Sequence, residues 1–135
     1  MPAKTAFESI RPGDVWITND PWKTSGHLLD ITIVTPVFHR DRLVAFFGNI
    51  CHVADIGGRV FSADAHSLFE EGLFIPMTRL FVGGQPNEEL FRILLNNIRA
   101  PREVTSELYS MAAANDVGAE RLREFLDEHG MDQRE

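Results

Sequence analysis

The sequence predicts an α+β fold: a β-rich N-terminal half with an antiparallel hairpin, followed by about three helices. Two observations lead there. Residues 13–82 are rich in Val, Ile, Phe and Thr and are broken by glycine, whereas residues 87–129 are rich in Leu, Glu, Arg and Ala. In the first block, two β-branched and aromatic runs flank the polar stretch His39-Arg40-Asp41-Arg42, the pattern of a hairpin. In the second block, apolar residues recur at helical spacing. Strands grouped first and helices grouped second give an α+β architecture, not an alternating one.

The elements follow in order. Asp14–Thr18 reads as a short strand and Asp30–Phe38 as a second, dominated by β-branched residues. Leu43–Ala54 reads as a third strand, apolar on both faces and therefore expected at the centre of the sheet. Asp55-Ile56-Gly57-Gly58 breaks it, since paired glycines permit positive φ and close backbone approach. Asn87 is positioned to cap a helix over about Glu88–Asn96, with Leu90, Phe91, Leu94 and Leu95 as its apolar stripe. Pro101 suits the first turn of a second helix running to about Asn115. Gly118 is expected to precede or interrupt a last helix, which Gly130 ends.

With 135 residues, 44% of them apolar and 24% charged, the chain has the length and balance of one globular domain, spanning 1–135. A net charge of -7 opposes nonspecific binding to nucleic acid or to an anionic membrane surface, which needs a basic face. Cys51 is the single cysteine, so no internal disulfide is possible, in keeping with a reducing compartment. The N-terminal stretch lacks the apolar segment of a signal peptide, and no run approaches the roughly 20 residues of a transmembrane helix. The expectation is a cytoplasmic, soluble protein.

The sharpest chemical constellation is His27, Asp30 and His52. His27 and Asp30 enter the second strand; His52 lies near the end of the third. If the two strands pair as a hairpin, the start of one meets the end of the other. Two imidazoles and a carboxylate are a usual ligand set for Zn, Mn or Fe(II) with open positions. The same residues also suit a surface pair and a histidine bonded to backbone. Asn19-Asp20-Pro21 is a turn signal that either closes a tight turn or lines a site beside His27. His39 and His66, among polar neighbours, read as solvated loop residues, and Trp16 and Trp22 as core or interface. Cys51 falls in a strand expected to be buried. No GxxxxGK[ST], GxGxxG or GxSxG pattern is present, which leaves nucleotide binding and serine or cysteine nucleophiles without support.

Several separate stretches, in one order, resemble the hydantoinase B/oxoprolinase family. They are Gly13-Asp14, Thr18-Asn19-Asp20-Pro21-Trp22, Ser25-Gly26-His27-Leu28-Leu29-Asp30 and Thr35-Pro36-Val37-Phe38. They continue with Cys51-His52-Val53-Ala54-Asp55-Ile56-Gly57-Gly58, Glu70-Glu71-Gly72-Leu73-Phe74-Ile75-Pro76 and Asn97-Ile98-Arg99-Ala100-Pro101. The resemblance covers about Arg11–Gly130. One departure stands out: where many members carry Gly-Asp-Leu after the Arg-x-Pro motif, this chain has Ser106-Glu107-Leu108.

The resemblance implies the B-type component of an ATP-dependent cyclic-amide hydrolase acting on hydantoin- or 5-oxoproline-type rings, with acetone and acetophenone carboxylases as relatives. It implies a hetero-oligomer in which a hydantoinase A-type partner uses ATP to phosphorylate the substrate carbonyl and the B-type part completes the reaction. ATP would be bound by the partner and not here. It further implies a divalent metal (Mn, Zn or Fe) on the residues matching His27, Asp30 and His52. Asp20 and Asp55 are then the candidate catalytic carboxylates, orienting the ligand histidines by hydrogen bonding. Asn19 and the Gly57-Gly58 backbone are the candidate substrate-oxygen binders. The family's B-type chains are several times longer, so this chain is expected to be a fragment of one. The motifs do not separate this hydrolase from a carboxylase-type segment of the same family, and the shortness admits a non-catalytic assembly module as a further alternative.

Overall fold

The computed structural model describes residues 10–59 and 64–130. Five strands form one antiparallel sheet: β1 (Val15–Thr18), β2 (Asp30–His39), β3 (Arg42–His52), β4 (Thr78–Val82) and β5 (Gln85–Pro86). A one-turn helix α1 (Leu68–Glu71) precedes β4, and α2 (Glu88–Asn96) and α3 (Pro101–His129) follow the sheet. The strand order is β3-β2-β1-β4-β5. The α+β architecture read from the sequence is the one observed.

The β2–β3 hairpin turns on Arg40 and Asp41, both at positive φ (47° and 63°), the backbone of a tight two-residue connection whose twist matches the strands. Its register pairs Asp30 with His52 at the open end and His39 with Arg42 at the turn. β2 supplies the core: Ile31, Ile33 and Val37 are fully buried, alternating with half-buried residues on the opposite face. Ile17 of β1 and Leu80 of β4 extend that apolar surface, and Leu94, Val104, Leu108 and Met111 of the two long helices cover it.

The long apolar strand expected at the centre is instead the edge. Among the described residues β3 pairs with β2 alone, and Val44, Phe46 and Ile50 remain exposed. An apolar run with no polar alternation reads as central, but here only one face of β3 meets a helix. Cys51, on this edge, is exposed and not buried.

The expected second and third helices are one continuous helix, α3, of 29 residues. Gly118 does not break it, because the residue answers a packing demand: a Cβ there would meet the Phe47 ring at 2.8 Å. The propensity cost of a mid-helix glycine, about 1 kcal/mol, is offset by that contact. The termini obey their signals. Asn87 Oδ1 accepts from Leu90 N–H at 3.3 Å, Pro101 opens α3, and Gly130 closes it in the left-handed region.

Two further expectations are corrected. His39 is buried, held by Asp127 Oδ1 2.9 Å from its Nε2, because α3 is long enough to bring Asp127 across the hairpin turn. Trp22 is 79% exposed in the loop after β1, which removes the core half of its core-or-interface reading. Among the described residues, no helix is long and apolar enough to cross a membrane.

Candidate functional site

The β2–β3 register sets the site. Asp30 and His52 face each other as the last pair of the hairpin, and His52 Nδ1 lies 3.0 Å from Asp30 Oδ1. A carboxylate only accepts, so this contact favours the proton on Nδ1 and leaves the lone pair on Nε2. The His52 side chain is 52% exposed and that of Asp30 21%, so the pair is open to solvent.

His27 sits one turn earlier, and its carbonyl accepts from Asp30 N–H at 3.3 Å. Its imidazole lies beside a different carboxylate: Nδ1 is 4.0 Å from Glu71 Oε2. Two of the three sequence-derived ligands are thus in contact, while the third pairs elsewhere. Among the described residues, no group of three or more His, Cys, Asp or Glu side chains is placed to hold a metal ion. The donor types fit a divalent first-row metal, and the placement supplies a preassembled pair of them.

Asn19 is a backbone staple. It is fully buried, its Nδ2 donates to Leu28 O (2.8 Å) and Leu73 O (2.9 Å), and its Oδ1 accepts from Ile75 N–H (2.6 Å). Both amide donors are engaged, and they tie the loop before β2 to the segment after α1. Asp20 orders its own turn. Its carboxylate accepts from Trp22 N–H at 3.1 Å and meets Lys23 Nζ at 3.1 Å.

Asp55 is the most heavily engaged carboxylate. It accepts from Gly57 N–H (3.0 Å), from Arg99 Nη2 (2.6 Å) and from the Arg99 backbone N–H. The Arg99 hydrogen bond above all holds its pKa down to about 2. The same partnership raises the Arg99 guanidinium. Gly57 and Gly58 stand at φ +78° and +61°, and a Cβ on either would meet backbone, Asn97 O at 2.6 Å or Glu70 O at 2.5 Å. These glycines let three segments converge just beyond His52.

Glu71, Arg99 and Glu107 have no role that the sequence alone suggests. Glu71 and Arg99 lie inside the family-like stretches, and that is the available signal for them. Glu107, in the stretch that departs from the family pattern, accepts from Ala54 N–H at 3.0 Å, two residues past His52. Asn115 carries no signal. It is buried in α3 and its Nδ2 lies 3.2 Å from Phe47 O, binding helix to sheet.

A family model described as hydantoinase B/oxoprolinase matches residues 2–135. The beta chain of the caprolactamase of Pseudomonas jessenii is 38% identical over 131 residues, which are 93% of this chain and 22% of that one. The crystal structure of the ATP-dependent caprolactamase from the same organism superposes with a TM-score of 0.88 at 36% identity, covering 97% of this chain and 23% of the other. The B component of a putative D-/L-hydantoinase from a Pseudomonas species is 32% identical over 129 residues, 93% of this chain and 22% of that one. The nucleotide-free structure of an acetone carboxylase shares the fold, with a TM-score of 0.82 at 19% identity, covering 93% of this chain and 17% of that one. The chain therefore spans roughly a fifth of the length of the relatives it matches.

Proposed function

The chain belongs to the hydantoinase B/oxoprolinase family, and from that premise we propose that it forms the ligand-bearing segment of the B-type component in an ATP-dependent cyclic-amide hydrolase. In this reading an A-type partner uses ATP to activate the ring carbonyl, and the B-type component completes ring opening. The observation that carries it is the Asp30–His52 contact at 3.0 Å, at the mouth of a hairpin whose fold matches a caprolactamase. The likeness to a carboxylase is one of fold and favours no carboxylation chemistry here.

His27, Asp30 and His52 are the residues that would hold a divalent metal, Mn, Zn or Fe, in this proposal. Such a metal supplies Lewis acidity toward a carbonyl oxygen, or a water of lowered pKa. The chain's own residues prepare the place. Asp30 Oδ1 and His52 Nδ1 stand 3.0 Å apart, so the carboxylate and this nitrogen would be the donors to one ion, in place of the proton they share. Asp55 and Arg99 lock the turn that follows His52, and Glu107 holds Ala54 N–H in the same segment. Asn19 fixes Leu28 O and thereby the start of the strand that carries Asp30.

A second reading, a non-catalytic module that assembles with a partner protein, is favoured by one observation: no closed set of three donors stands ready among the described residues. Metal content of the purified protein separates the two. Near-stoichiometric Mn, Zn or Fe, lost in both His27→Ala and His52→Ala, supports the ligand-bearing segment. A folded wild-type protein without metal, which still binds an A-type partner, supports the module.

A further inference from the structure

We propose that Glu71 is the positioning residue of His27, setting which imidazole nitrogen faces the site; the inference rests on the reading of His27 as a ligand.

The segment carrying Glu71 joins the two ligand-bearing stretches. On one side, Leu73 N–H donates to Ile56 O at 2.8 Å, and Arg59 N–H donates to Glu70 O at 2.8 Å. Gly72 presses on the same turn so closely that a Cβ there would clash with Ile56 O. That side is the loop following His52. On the other side, Leu73 O and Ile75 N–H are clasped by Asn19, whose own chain leads into the His27 loop. Glu71 is thereby held between both.

Its carboxylate addresses the His27 loop directly. Oε2 accepts from Leu28 N–H at 3.1 Å and lies 4.0 Å from His27 Nδ1. The first contact fixes the backbone beside His27. The second is too long for a hydrogen bond and places the negative carboxylate on the Nδ1 side of the ring. A carboxylate beside Nδ1 draws the imidazole proton there and leaves Nε2 as the lone-pair donor, the arrangement by which carboxylates orient metal-binding histidines. Each histidine has a carboxylate on its Nδ1 side, Asp30 at 3.0 Å from His52 and Glu71 at 4.0 Å from His27.

The variants Glu71→Met and Glu71→Gln isolate the claim. The oxygen that accepts from Leu28 N–H is also the one that faces His27 Nδ1, so Glu71→Gln keeps an acceptor toward both, while Glu71→Met removes it. Nitrogen-15 NMR of the imidazoles at pH about 8.5, well above the ordinary histidine pKa of about 6.5, reads the tautomer without any metal. The expected result is Nδ1–H for His27 in the wild type and in Glu71→Gln, and a shift toward Nε2–H in Glu71→Met. Co2+ affinity, titrated on the same samples, is expected to fall about tenfold or more in Glu71→Met. His27 as Nε2–H in the wild type, or a tautomer indifferent to Glu71→Met, overturns the inference. Should Glu71→Met fail to fold, Glu71→Ala replaces it with the same two outcomes. A wild type that shows Nδ1–H yet binds no Co2+ upholds the positioning role and sinks the metal reading instead.

Discussion

Phe47 of β3 lies against Gly118 of α3 so closely that a Cβ at 118 would stand 2.8 Å from the ring. This contact seats the C-terminal half of α3 on the hairpin. An alanine at 118 gains helix propensity worth about 1 kcal/mol but must push an aromatic ring aside, and overpacking of that kind costs about 1–3 kcal/mol. Gly118→Ala is therefore expected to destabilise the fold in urea unfolding, and Gly118→Ala combined with Phe47→Leu to recover part of the loss.

Asp55 and Arg99 give the fold an acid-sensitive clasp. The carboxyl titrates at about 2 in the folded protein, against 3.8 for an unperturbed aspartate, chiefly because Arg99 donates to it. A lowered folded-state pKa stabilises above the unfolded value and is lost as pH falls toward the folded one. The contribution is thus full above about pH 5 and disappears between about pH 4 and 2. With Arg99 largely exposed, screening brings it to the order of 1–2 kcal/mol. Asp55→Asn should be less stable than wild type at pH 7, and the gap should close over that acid window in urea titrations.

The hairpin was legible because its determinants are local: β-branched runs, a polar turn, and a register that places Asp30 opposite His52. The caps at Asn87 and Gly130 were legible for the same reason. What escaped depends on partners remote in sequence. The edge position of β3 follows from which strand pairs with β1, and no local pattern in Leu43–Ala54 encodes that choice. Gly118 has a helix-breaker's identity and a packing residue's job, and only the Phe47 contact tells them apart. His39 looked solvated because Asp127, its partner, lies 88 positions away. In the candidate site, the pairing of Asp30 with His52 was readable from the hairpin, whereas the contact of Glu71 with Leu28 N–H joins residues 43 positions apart.

Asn19 offers a test of a purely structural amide. Removing it strands Leu28 O, Leu73 O and Ile75 N–H in a buried place, where each unsatisfied group costs about 1–3 kcal/mol. Asn19→Ala is expected to lose about 3 kcal/mol or more in thermal or urea unfolding, enough to leave a domain of this size marginal. A near-neutral Asn19→Ala would show that the fold does not need the amide and would favour the substrate-binding role that the family resemblance implies.

Ile33 and Ile50 distinguish the two faces of the sheet. Ile33 is fully buried under the helices, while Ile50, on the neighbouring edge strand, is 55% exposed. Both have the same side chain on paired strands, so the difference in consequence isolates burial. Ile33→Ala should cost about 2–5 kcal/mol, the transfer loss plus a cavity. Ile50→Lys should stay within about 0.5 kcal/mol of wild type. It should also raise solubility, because a lysine on an open apolar edge opposes strand-to-strand association. Urea midpoints and light scattering of the two variants check both halves. An Ile50→Lys variant that unfolds as readily as Ile33→Ala would mean that β3 is packed on both faces, and the sheet order would have to be redrawn with that strand inside.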